Sequence, residues 1–137
     1  MKRLENMPVP LLPTFVGALT LSNVYSGMGY TWIRHLTMWA ATIIILLYVV
    51  KIIQFPKTCK KEYETVVPCS LYAGFAMVLM ILGSYYFDYV PGLGKAVWLA
   101  ALAVHAVHIL LFSYRNMIKK RDINTFVPSW FVTYNGI

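Results

Sequence analysis

Ala41 to Val50 reads ATIIILLYVV, with no charge and no alternation of polar and apolar positions. A barrel strand in a membrane alternates over ~10 residues, and this run does not. In lipid every backbone amide must find its partner inside its own segment, so a run of this kind crosses as a helix. A hydrocarbon core of ~30 Å takes ~20 helical residues, and Leu36 to Val50 reaches that length with its flanks included. Outward from it, Asn6 to Ile33, Thr65 to Phe87 and Ala96 to Tyr114 contain no Asp, Glu, Lys or Arg. A composition of 59% hydrophobic and 12% charged residues means that lipid is the solvent for most of the chain.

The expected fold class is all-α and integral to a membrane. Spans are expected near Val9 to Met28, Thr31 to Ile53, Val66 to Phe87 and Gly92 to Tyr114, forming two hairpins, with a partial fifth from Val127 to Ile137. A repeat supports the pairing. Val9-Pro10, Val67-Pro68 and Val127-Pro128 each open a small-residue apolar run, before Gly17, Gly74 and Gly136, about sixty residues apart. That interval is the length of a helical hairpin with its loop.

The net charge of +7 does not point to nucleic acid, because the basic residues sit in alternate loops and not along a face with aromatic stacking positions. Lys2 and Arg3 precede the first span, Lys51, Lys57, Lys60 and Lys61 follow the second, and Arg115, Lys119, Lys120 and Arg121 follow the fourth. The intervening turns hold only Arg34 and Lys95. The positive-inside rule then makes the N-terminus and the basic loops cytoplasmic. No signal peptide is apparent. Cys59 and Cys69 have no metal-ligand spacing and read as packing residues.

Two kinds of helix are visible. Spans one and three open with Pro10, Pro13 and Pro68 and carry Thr14, Gly17, Thr20, Ser70, Gly74, Gly83 and Ser84, whereas span two is bulky, with Trp39, Ile43 to Ile45, Leu46 and Leu47. Span four is Ala-rich. Small residues allow helices to approach closely, and small polar groups are tolerated where a helix faces protein or water. Odd helices are therefore expected to face inward and even helices lipid. Thr14, Gly17 and Thr20 to Leu21 share one side of a helix, as do Ser70, Ala73 to Gly74, Met77 and Ser84, and Ser129, Thr133 and Gly136 repeat the arrangement. Such a face serves either ordinary helix packing or a pore lined by hydroxyls and backbone. Pro13 lies deeper than Pro10 and Pro68 and is the candidate for a bend.

Three segments resemble the tellurite-resistance/dicarboxylate transporter family, which includes the plant guard-cell slow anion channels: Val9-Pro-Leu-Leu-Pro-Thr-Phe-Val-Gly-Ala-Leu, Lys51-Ile-Ile-Gln-Phe-Pro-Lys, and Phe126-Val-Pro-Ser-Trp-Phe-Val-Thr-Tyr-Asn-Gly-Ile. The resemblance implies a ten-helix protomer of five hairpins, with odd helices around a pore, assembled as a homotrimer. It implies passage of small anions: C4-dicarboxylates such as malate, tellurite-type oxyanions, or chloride and nitrate. Carried onto this chain, it points to Pro10, Pro13, Thr14, Gly17, Pro68, Ser70, Gly74 and Pro128 on pore helices. The family's aromatic gate belongs to a later helix, so Phe15 and Phe75 do not take that role. On this reading the chain is the N-terminal portion of a longer multi-pass transporter of a bacterial inner membrane, N-terminus cytoplasmic, with Lys57, Lys60, Lys61, Lys119, Lys120 and Arg121 forming a basic mouth that draws anions in.

Two other classes compete. His105 and His108, one turn apart on span four, invite a haem or metal redox protein, yet no Glu-x-x-His pairing or second His-bearing span accompanies them. The ordinary reading is a helix-facing His bonded to a neighbour. Glu5, Glu62, Glu64, Asp88 and Asp122 all fall in loops or termini, and neither GxSxG nor a phosphate-binding loop occurs, so no enzyme, catalytic residue, metal or cofactor is expected. Asp88, Tyr85, Tyr86 and Tyr89 read as an interfacial anchor. The second competitor is a structural or assembly protein whose small-residue helices pack with a partner and carry nothing.

Overall fold

The computed structural model describes residues 2–120 and 126–134. They form helices α1 (Lys2–Glu5), α2 (Leu11–Gly27), α3 (Thr31–Gln54), α4 (Pro56–Glu64), α5 (Val66–Leu71), α6 (Ala73–Phe87), α7 (Pro91–Ser113) and α8 (Trp130–Tyr134), with a π-helical extension of α7 over Tyr114–Lys120. No strand occurs among the described residues. Three helical stretches are long and apolar enough to cross a membrane: Thr31–Gln54, Val66–Phe87 and Pro91–Lys119. The first expected span is shorter than the rest, since α2 has 17 residues, about 26 Å of helix at ~1.5 Å per residue.

Each hairpin turn has a local cause. After α2 the Gly29 backbone is at φ 98, the Gly29 amide bonds the Ser26 carbonyl and the Tyr30 amide reaches the Tyr25 carbonyl at 3.0 Å. This is a Schellman closure, which requires a left-handed residue after the helix. Between α6 and α7, Val90 N–H donates to the Tyr86 carbonyl at 2.8 Å and Pro91 starts α7, where its missing N–H costs nothing. Pro13 and Pro68 are each the third residue of their helix, so they too sit in a first turn whose amides need no helical acceptor. Pro13 is thus a helix starter and not a bend. The irregularity in the third span falls instead at Tyr72, between α5 and α6.

The layers only partly follow the expected division. The odd elements stand in series: α2 packs on α6, and α5 and α6 pack on α8. The even helices back them, α3 against α2 and α6, α7 against α6 and α8. As expected, α3 exposes bulky side chains, among them Trp39, Ile43 and Leu46, and the Ala-rich α7 exposes Val104, Val107 and Leu110 as well. Only α6 among the odd helices is central, burying Ala73, Gly74, Ala76, Val78, Leu82, Gly83 and Tyr85. In contrast, α2 buries only Leu12, Leu19 and Ser22.

Glycine sets the helix spacing. A Cβ at Gly74 would lie 2.9 Å from the Pro13 nitrogen and 3.1 Å from Leu12, and one at Gly83 would lie 2.8 Å from the Trp98 nitrogen. At Gly94 a Cβ would collide with the Phe87 backbone. These contacts are backbone against side-chain-free backbone, and neither partner can rotate away. At Gly17, by contrast, a Cβ would meet nothing within 4 Å. Gly74→Ala should therefore destabilise the detergent-solubilised protein by roughly 1–3 kcal/mol, while Gly17→Ala should be neutral or gain up to about 1 kcal/mol of helix propensity. Thermal unfolding of the two variants side by side checks both signs.

Candidate functional site

The expected pore residues separate into two groups. Pro10, Thr14 and Gly17 are exposed and continue through Leu21 and Val24 as one stripe along α2. The Thr14 and Thr20 hydroxyls donate to the Pro10 and Val16 carbonyls at 3.0 and 2.9 Å, four residues back. The stripe therefore presents methyl groups, Gly17 backbone and hydroxyl oxygens with lone pairs to spare. Pro13 is half-buried under the Gly74 contact.

Ser70 and Gly74 do not belong to such a face. Both are buried; the Ser70 hydroxyl donates to the Val67 carbonyl at 2.7 Å, the Ser70 carbonyl accepts from Thr133 Oγ1 at 3.2 Å, and Gly74 carries the α2 contact. Their small size serves helix packing, the alternative that spacing alone left open. Pro68 is half-buried at the start of α5 and Pro128 is exposed before α8. Of the basic mouth, Lys57, Lys60, Lys61 and Lys119 are exposed; the Lys120 side chain and Arg121 lie outside the described residues, as does Gly136.

Lys51 is a correction. The sequence groups it with the basic loop residues after span two, yet it is wholly buried near the end of α3, and its ammonium donates to the Met7 carbonyl at 2.9 Å and to Glu62 Oε1 and Oε2 at 2.8 and 3.0 Å. Tyr72 donates to the same Glu62 carboxylate at 2.6 Å, and Tyr48 donates to the Pro8 carbonyl at 2.7 Å. One carboxylate from α4 thus joins the end of α3 to the α5–α6 irregularity, while Lys51 and Tyr48 hold the segment that leads into α2. Glu62 is not an ordinary loop acid. Its sequence signal is weak: an i, i+11 spacing across a helix break has no recognisable pattern.

The opposite end has its own anchor. Arg34 binds Asp88 at 2.8 Å and Asn23 at 3.0 Å and lies 5.0 Å from the Tyr85 ring centroid, so one guanidinium ties α2, α3 and the end of α6. His35 Nδ1 pairs with the Tyr85 hydroxyl at 2.8 Å. The aromatic anchor expected at Tyr85 and Asp88 is accordingly also an interhelical clamp.

His108 behaves as expected of a structural histidine, with Nδ1 3.0 Å from the Tyr63 hydroxyl. Burial holds the Tyr63 phenol well above its usual pKa, reinforced by Cys69, so it stays protonated and able to donate. His105 departs from that expectation: it is wholly buried and neither ring nitrogen meets a hydrogen-bond partner among the described residues. No group of three or more His, Cys, Asp or Glu side chains is placed to hold a metal among the described residues.

No family model matches the chain, and no curated protein or solved structure matches it either.

Removing one member of a buried ion pair strands the other, at a cost of about 3–5 kcal/mol when both are fully enclosed. Glu62 keeps 24% of its side-chain exposure, which lowers the expectation for Lys51→Met to about 2–4 kcal/mol. Thermal unfolding should show this loss, and Lys57→Met, exposed on α4, should leave the midpoint unchanged.

Proposed function

We propose that this protein passes small anions across a membrane along the exposed face of α2, as the likeness to the tellurite-resistance/dicarboxylate transporter family implies. The observation that carries the reading is the stripe Pro10, Thr14, Gly17, which leaves space free beside Gly17 while bulky apolar residues cover α3 and α7. A helix face that meets only lipid gains nothing from a Gly at mid-length, which weakens the helix by about 1 kcal/mol relative to Ala. A water-lined wall does, because a face with no bulky side chain and no fixed charge leaves room for a hydrated ion and does not trap it.

The serial packing of α2, α6 and α8, each backed by an even helix, fits one arc of a ring of odd helices. On this reading α2 also spans, the ring closes with further helices of a ten-helix protomer within a homotrimer, and the lysine-rich end faces the cytoplasm. There the N-terminal dipole of α2 adds partial positive charge, and Lys57 and Lys61 raise the local anion concentration. Malate, tellurite-type oxyanions, chloride and nitrate are the substrates to try.

A structural or assembly role is the second reading, favoured by the burial of Ser70 and Gly74 in helix contacts. Flux separates the two. Protein purified from its source membrane and reconstituted into liposomes should carry chloride, nitrate or malate, and Gly17→Leu should abolish most of that flux without loss of folded protein. Absence of wild-type flux, or unchanged flux in Gly17→Leu, would favour the structural role.

A further inference from the structure

On the lipid side of the bundle, at its lysine-rich end, a groove of about 840 Å³ opens between the end of α4 and the π-helical extension of α7. Its size is that of a small-molecule site. Lys60 comes from α4, and Arg115 and Lys119, four residues apart, come from the π-helical segment; among the described residues that line the groove, Glu64 is the one carboxylate beside these three cations. A π-helical turn is a rare conformation, frequently found at functional sites.

Arg115 is held in place. Its guanidinium donates to the Tyr63 and Glu64 carbonyls at 2.7 Å each, which caps α4 and leaves further N–H groups unspent. The groove floor is apolar. Leu111 lines it, and Val104 and Val107 continue the same exposed face down α7 towards the middle of the span. Tyr114 stands at the rim, 59% exposed, where an interfacial aromatic belongs.

Excess positive charge at a helix end, directly above an uncovered apolar stripe, matches a molecule with a phosphate at one end and hydrocarbon at the other. We propose that this groove holds an anionic phospholipid, its phosphate against Lys60, Arg115 and Lys119 and one acyl chain along Leu111, Val107 and Val104. A free phosphate satisfies the cations but leaves the apolar floor exposed, and a phosphatidylcholine brings a cation of its own to the cationic rim. The inference rests on the membrane-spanning reading of α7 and not on anion passage, so it stands or falls separately from flux.

The test is native mass spectrometry of the full chain released from bilayers of equal phosphatidylglycerol and phosphatidylcholine content. Wild-type protein should retain phosphatidylglycerol preferentially. Lys60→Gln combined with Lys119→Gln should lower that retention by about fivefold per lysine removed. Lys57→Gln combined with Lys61→Gln removes the same charge from α4 positions outside the groove and should leave retention unchanged. Equal retention of the two lipids, equal loss in both double variants, or displacement of the lipid by millimolar inorganic phosphate would each overturn the proposal.

Discussion

Backbone-to-backbone contact at glycine is the constraint on which the arrangement of helices depends. In lipid there is no hydrophobic force to bring apolar helices together, and association comes from close packing and polar contacts. Gly74 against Leu12 and Pro13, Gly83 against Trp98, and Gly94 against Phe87 provide the close packing. They seat α6 between α2 and α7. With α6 fixed, α8 docks on α5 through Thr133 and Ser70, and α3 fills the angle between α2 and α6.

Polar contacts then pin both ends. Lys51, Glu62, Tyr72 and Tyr48 tie the lysine-rich end, and Arg34, Asp88 and Asn23 the other. Each set uses one cation to join elements that are distant in sequence. Between these anchors the helices meet mainly through apolar side chains and glycine, so α2 is held along one side only. Its other side, with Thr14 and Gly17, stays exposed among the described residues.

Much of this was readable from residues. Three of the four expected spans coincide with membrane-capable helices, and the bulky Trp39, Ile43, Leu46 and Leu47 of span two lie on the exposed face of α3. What escaped were facts that depend on partners remote in sequence. Lys51 at the end of an apolar run looks solvated until Glu62 folds back beneath it. Gly17 and Gly74 each follow a Val-Pro pair of the repeat, yet one is open and the other wedged against a helix, because α6 lies between α2 and α7. His105 and His108 look alike at one-turn spacing, and only His108 reaches a hydroxyl.

The central claim, that the Thr14 and Gly17 side of α2 borders water inside the membrane, is tested most directly by cysteine accessibility in native membranes. In a background with Cys59 and Cys69 replaced by alanine, Thr14→Cys and Gly17→Cys should react with a membrane-impermeant thiosulfonate and be protected by a transported anion, while Ile43→Cys and Leu110→Cys on the lipid-facing helices should not react. Silence at positions 14 and 17, or equal reaction at all four, would contradict the account.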